Sequence, residues 1–220
     1  MPRLAAFVVD GFNLYHSLRA AEAALRASPR AGGATGTRWL DLRGLCEDKL
    51  KSFEGRFALG SIHYYTALAN HLQTTDPGTR NRQLAHLRCL GATGVICEMS
   101  RFKRKDIRCR ACGAITRRFE EKETDVAVAM KLTELLHTRT CDNAFLLSGD
   151  SDLVPAIRAA RRLFPRAGLH VALPYGRASR ELQSTAAQAV LLTKDDYLRH
   201  QLPDPFELPN GKRVAKPPKW

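Results

Sequence analysis

Nothing in the sequence approaches the run of roughly 20 apolar residues that a membrane-spanning helix needs, so a helical membrane protein is excluded. The one apolar stretch near the start, Leu4 to Val9, stops at Asp10, too early for a signal peptide's apolar region and its cleavage site. The expectation is an intracellular, cytoplasmic protein with no membrane partner, whose six cysteines (46, 89, 97, 109, 112 and 141) stay reduced. The seven histidines form no His-x-x-x-His pair, no serine sits in a nucleophile elbow, and there is no P-loop. Gly91-x-x-Gly94 is too sparse for a dinucleotide loop, and there is no internal repeat. Acids are also in short supply: 22 Asp and Glu stand against 35 Lys and Arg, a formal charge of +13. Such an excess favours polyanionic partners, nucleic acid before an acidic membrane surface.

What is present reads as alternating strands and helices within a single domain of about 200 residues. Leu4 to Val9 predicts a buried strand, and Phe12 to Ala27 a helix with Phe12, Tyr15, Leu18 and Leu25 at helical spacing. Ser28 to Arg38, with Pro29 and three glycines, predicts a loop; Leu42 to Phe53 predicts a second helix and Ala58 to Leu68 a second strand. Asp76-Pro77-Gly78 opens a third helix that Gly91 should end, before a strand at Val95 to Cys97. Beyond an insertion at about 99–119 with no clean period, Thr124 to Leu136 predicts a helix and Phe145 to Leu147 a strand. A helix through Arg162, a strand at Leu169 to Leu173, a helix at Ser179 to Ala187 and a short strand at Val190 to Leu192 complete the alternation. That order implies an α/β, three-layer Rossmannoid fold, a mostly parallel central sheet flanked by helices. Residues 201–220, rich in proline and lysine, read as a poorly ordered basic tail.

The chain is organised around Ala144 to Leu153, where an apolar run ends in Ser148-Gly149 and Asp150 and Asp152 follow before a helix. In an open α/β sheet, ligands are held at the carboxyl edge of the strands. Asp10 ends the first strand at that same edge, and Asp125 opens the helix that precedes the strand ending at Leu147. Glu121 lies four residues before Asp125 and shares its face if the helix starts that early. Position by position these acids are also ordinary helix caps. Gathered at one edge, they would repel and raise one another's pKa values unless a cation neutralised them. Oxygen-only ligands suit Mg²⁺ or Mn²⁺ better than zinc.

Val9-Asp10-Gly11-Phe12-Asn13-Leu14, then Glu121-Lys122-x-Thr124-Asp125-Val126, then Leu147-Ser148-Gly149-Asp150-Ser151-Asp152-Leu153 resemble the three signature blocks of NYN domains, the LabA-like branch of the PIN-like nucleases. Pro174, Ser179 and Leu182 resemble the last block, so the likeness spans about Leu4 to Leu192. The resemblance implies a PIN-like fold and a metal-dependent nuclease, usually acting on RNA. Asp10, Asp125, Asp150 and Asp152 would be the catalytic, metal-holding set, with 5′-phosphate products. It further implies that Asn13 orients Asp10 or contacts a phosphate, that Ser148 supports the metal loop, and that Lys122 reaches a phosphate.

Arg101, Lys103, Arg104, Lys105 and Arg108 crowd the insertion beside the acids, where a cationic arm would hold flanking phosphates and lose grip as salt rises. RNA is expected as partner ahead of DNA. Phe102 and Tyr175 could stack on bases, although packing is the simpler role for each. Cys109-Arg-Ala-Cys112-Gly113 has the shape of half a zinc site, with Cys89 and Cys97 as nearest further thiols, both reading as core residues. A second copy of the chain could supply another pair, so a homo-oligomer enters the expectations. Two other functions compete. A non-catalytic RNA-binding adaptor would keep the acids as a vestige. A phosphatase with an aspartyl intermediate would want an acid two residues after Asp10, and Phe12 stands there.

Overall fold

The computed structural model describes residues 3–27, 35–53 and 56–220, with the side chains of residues 117, 118, 120 and 121 outside that description. Most of the loop expected at Ser28 to Arg38 lies outside the described residues. In chain order the elements are β1 (Arg3–Asp10), α1 (Gly11–Arg26), α2 (Leu42–Lys51), β2 (Phe57–Ala67), α3 (Thr79–Ala92), β3 (Ile96–Arg108) and β4 (Ile115–Lys122). They continue as α4 (Thr124–His137), β5 (Asn143–Leu147), α5 (Val154–Leu163), β6 (Gly168–Leu173), α6 (Arg180–Thr185), β7 (Ala189–Leu191), α7 (Lys194–Arg199), β8 (Phe206–Glu207) and β9 (Arg213–Val214). Short 3₁₀ turns occupy Asn70–Leu72 and Ser151–Leu153.

One seven-stranded sheet has the order β4-β3-β2-β1-β5-β6-β7, parallel throughout except for β4. The strands at its centre are buried on both faces, which is why β1 and β5 read as unbroken apolar runs. Alternation then sorts side chains by face. Phe7, Val9, Phe145 and Leu147 pack against Leu14 and Leu18 of α1, Leu45 and Leu50 of α2 and Leu90 of α3. Ala6, Val8, Leu146 and Val171 pack against Val128 and Leu132 of α4, Ile157 of α5 and Leu182 of α6. The expected three-layer α/β fold is therefore what forms. The chain turns from one face to the other between β1 and β5, and the crevice at their carboxyl ends is the switch point where such sheets hold ligands.

Three expectations are corrected. Helix α3 runs through Gly91 to Ala92, and the left-handed residue beyond it is Gly94 (φ 85°). The insertion at 99–119 is regular: β3 continues to Arg108 and pairs antiparallel with β4, Arg101 opposite Lys122 and Arg108 opposite Ile115. The ribbon stands in water along much of its length, so no apolar alternation betrays it. Residues 201–220 are not loose. Leu202, Phe206, Val214 and Trp220 pack with Trp39 and Cys89, β8 pairs with β9, and the Trp39 indole donates to the Pro203 carbonyl at 3.2 Å. Four apolar side chains spread among prolines and lysines suffice for this, because Trp39 supplies a ready surface.

Candidate metal centre and nucleic-acid face

Asp10 leaves the end of β1 as the N-cap of α1 and is 4% exposed. Its carboxylate is held at both oxygens. The Asn13 backbone N–H donates to Oδ1 at 2.9 Å, and the Ser148 hydroxyl donates to Oδ2 at 2.8 Å. Because Val9 pairs with Leu147, Asp10 and Ser148 emerge side by side from neighbouring strands. The Ser148 oxygen in turn accepts from the Asp150 N–H at 3.1 Å, and Asp150 caps the next turn by accepting from the Asp152 N–H at 3.0 Å. Asn13 does orient this corner, but with its backbone; its side-chain oxygen accepts the Gly149 N–H at 3.0 Å and pins the second loop to the first helix.

Asp125 arrives from the other face, in the first turn of α4. Val128, three residues on and fully buried, fixes that side of the helix toward the sheet. One carboxylate oxygen from each of Asp10, Asp125 and Asp150 then lies within 4.8 Å of the others. Asp152 falls outside this trio, exposed at the rim, though its charge reaches Asp125. Burial pushes the Asp10 carboxyl up; the Asn13 and Ser148 hydrogen bonds oppose this, and Asp125 and Asp150 add to it. Asp125 is raised by partial burial, then by Asp150 and Asp152. Burial leads both shifts, and the repulsion among the acids that adds to it is the part a divalent cation would offset. The donor set, all carboxylate oxygen, fits a hard ion of the Mg²⁺ or Mn²⁺ kind.

The close fit depends on two glycines that the sequence marks only as turn residues. A Cβ on Gly149 would collide with the Arg177 carbonyl oxygen, and one on Gly11 with the Tyr65 carbonyl oxygen. Arg177 and Tyr65 are remote in sequence from the residues they crowd, so no local pattern could have named them.

Glu121 is not on α4: it lies on β4 opposite Phe102, and its side chain is outside the described residues. Lys122 ends β4, exposed, two residues before the helix. Of the expected phosphate-binding residues, Arg101 is paired with Glu123, and Arg104 with Asp106 at 2.6 Å. Exposed pairs like these contribute little and open readily. Lys103, Lys105 and Arg108 are exposed along the ribbon. Phe102 lies edge-on to His71, whereas Tyr175 packs on the first core and accepts the Ser17 hydroxyl on its carbonyl at 2.7 Å.

At the tip of the ribbon Cys109 and Cys112 are both exposed, and Gly113 closes the turn with φ 71°. Backbone N–H groups of Cys112 and Ala111 point at the Cys109 sulfur and, with the Cys112 thiol, lower its pKa. Cys89 is buried on α3 and Cys97 half-buried on β3, where burial lifts both thiols to about 11. Among the described residues the tip thus gathers two of the four ligands zinc wants, not three.

No helix among the described residues is long and apolar enough to cross a membrane. No curated protein matches this chain. A crystal structure of a protein of unknown function from Vibrio parahaemolyticus matches it with a TM-score of 0.55 and 19% identity, over 89% of this chain and 95% of that one, a likeness of fold alone. A family model described as NYN domain matches residues 5–193, a span holding Asp10, Asp125, Asp150 and both flanking glycines, and the chain belongs to that family.

Proposed function

We propose that the protein is a metal-dependent ribonuclease that hydrolyses phosphodiester bonds at the Asp10–Asp125–Asp150 centre. The observation that carries the reading is the meeting of three carboxylates, from β1, α4 and the loop after β5, within 4.8 Å at the switch-point crevice. Membership of a family of PIN-like nucleases supports the same chemistry.

Asp10 and Asp150 would hold Mg²⁺ or Mn²⁺ from the sheet side and Asp125 from the helix side. Bound there, the ion would polarise the phosphodiester, lower the pKa of a water and offset charge developing in an in-line displacement. The chain's own part is positioning. Ser148 and the Asn13 amide fix the Asp10 carboxylate in one orientation, so little reorganisation is needed when the ion enters. Asp152, at the exposed rim, would complete the acidic set from the solvent side. The exposed Lys103, Lys105, Arg108 and Lys122 would hold phosphates on either side of the scissile one.

End-labelled RNA and DNA incubated with Mg²⁺, Mn²⁺ or EDTA provide the test. Expected are scission that needs the metal, preference for RNA, 5′-phosphate ends, and loss of cutting with retained binding in Asp150→Asn. Purified wild-type protein that binds RNA but leaves every substrate intact with either metal would instead establish a non-catalytic RNA-binding adaptor.

A further inference from the structure

Beside the acid centre a cleft of about 680 Å³ opens between α1, the segment after β2 and the base of the ribbon. Seven rings line it: Phe12, Tyr15 and His16 from α1, His71 from the 3₁₀ turn, Phe102 from β3, Phe119 from β4, and Trp220. All but Trp220 touch in series, Tyr15 joining through His16. The Phe12 centroid lies 4.4 Å from His16 and 6.3 Å from Phe102, and His71 lies 4.5 Å from Phe102 and 4.6 Å from Phe119. Yet Phe12 and Phe119 remain 44% and 42% exposed, so the cluster faces the cleft rather than a core. Large rings left half in water forgo burial energy, and contiguous patches of this kind mark binding surfaces.

The charge around the rings narrows the class of ligand. The cleft is lined by five cations against two acids. Arg26 and Arg38 share Glu22 and Arg82 is tied to Asp76, which leaves the positive excess with that arginine pair, Arg19 and Lys219. His16 and His71 are held below 6.5 chiefly by burial, so they offer ring faces rather than charge at neutral pH. Aromatic faces combined with a positive rim are the means by which proteins hold unpaired nucleotides. None of the three acids lines the cleft, but it starts at the same end of α1 that Asp10 caps. Only Gly11 separates Phe12 from Asp10, and Arg177, whose carbonyl abuts Gly149, acts electrostatically on His16. A larger cavity of about 870 Å³ lies at the opposite, amino-terminal edge of the sheet, by Arg3, Phe57, Asn143 and Gly168, and joins neither feature.

We propose that this cleft is a stacking subsite for the unpaired bases next to the scissile phosphate, which makes single-stranded nucleic acid the substrate class. The inference rests on the nuclease reading only for where that phosphate lies. A duplex keeps its base faces stacked inside the helix and has nothing to offer these rings.

Anisotropy of a dye-labelled single-stranded oligouridylate in EDTA, where no metal-dependent cutting occurs, separates the two ideas. Compared with it are an abasic strand of the same length and a duplex. Phe12→Leu and Phe119→Leu should each weaken the oligouridylate ~10-fold and leave the slope against salt unchanged, because no phosphate contact is lost. Phe12→Tyr and Phe119→Tyr, which keep the ring, should bind like wild type, and circular dichroism checks that all variants fold. The abasic strand should bind wild type at least as poorly as the oligouridylate binds either leucine variant. Equal binding of abasic and intact strands, or leucine variants that bind normally, overturns the subsite. Base-dependent binding without any metal-dependent cleavage would uphold the subsite while the nuclease reading fell.

Discussion

Replacing Asp125 by Asn should make the metal-free protein more stable and the metal-bound protein less so. Asp125 sits within 4.8 Å of Asp10 and Asp150 and is raised by Asp150 and Asp152, so its charge is opposed from several sides. Two unit charges about 5 Å apart repel by ~3 kcal/mol at an effective dielectric of about 20, and by less than ~1 kcal/mol in water. Asp125 is on the exposed side of the trio, so the lower end applies, about 1 kcal/mol in all. In a protein of this size that is a rise in Tm of about 2–4 °C in EDTA. Wild type in Mn²⁺ at a hundredfold excess over its Kd should gain ~2.7 kcal/mol by mass action, a larger shift. The variant keeps an oxygen ligand but not its charge, and should recover less than half of that gain. Thermal unfolding followed by intrinsic fluorescence at about pH 8, with EDTA or Mn²⁺, reads both effects, the alkaline pH keeping the raised carboxyls ionised. The stability order of the two proteins should invert between the two buffers. A variant that is less stable than wild type in EDTA, or one that gains as much from Mn²⁺, would refute the idea that the trio is a strained anion set awaiting a cation.

Other expected outcomes follow from residues away from the trio. His86 and His170 are buried and pushed down to about 4 from 6.5, so the unfolded chain takes up more protons than the folded one between those values. Stability should fall as pH drops from about 6.5 to about 4, by at most ~3 kcal/mol per histidine, and level off below. His170→Phe, placed among Phe53, Phe57 and Phe145, should shrink that acid loss in urea titrations; an unchanged pH difference would show that His170 is not its source. Lys103→Ala with Lys105→Ala should weaken RNA binding and reduce its log–log slope against salt by about 2, and an unaltered slope would mean the ribbon points away from the substrate. If the tip thiols hold zinc, metal analysis should find one ion per two chains and a dimer that dissociates in Cys109→Ser with Cys112→Ser; no zinc in wild type removes that site.

Much of this was legible from the residues because burial writes a periodic signal. Leu4 to Val9 and Phe145 to Leu147 announce central strands, and the carboxylates after them, Asp10 and Asp150, fall at one edge of the sheet by pattern alone. Asp125 was found in the same way, from the stripe of Val128, Leu132 and Leu135 behind it. The ribbon from Arg101 onward escaped because both of its faces meet water, so hydrogen bonding rather than apolar spacing makes it a pair of strands. The packing of residues 201–220 escaped for a different reason. Its anchor, Trp39, is more than 160 residues away, and the proline and lysine content masked the four side chains that dock there. The cleft rings come from α1, a short turn, two strands and Trp220, a set that only the tertiary fold brings together.

The ribbon has a mechanical consequence. Strand β4 passes into α4 through a single residue, Glu123, held in a left-handed conformation (φ 77°), and Asp125 lies in the first turn beyond. The same Glu123 meets Arg101 of the other strand in an exposed ion pair. An RNA strand pulling on the arm would therefore act on the backbone two residues from Asp125, so capture at the ribbon would bear on where that carboxylate sits.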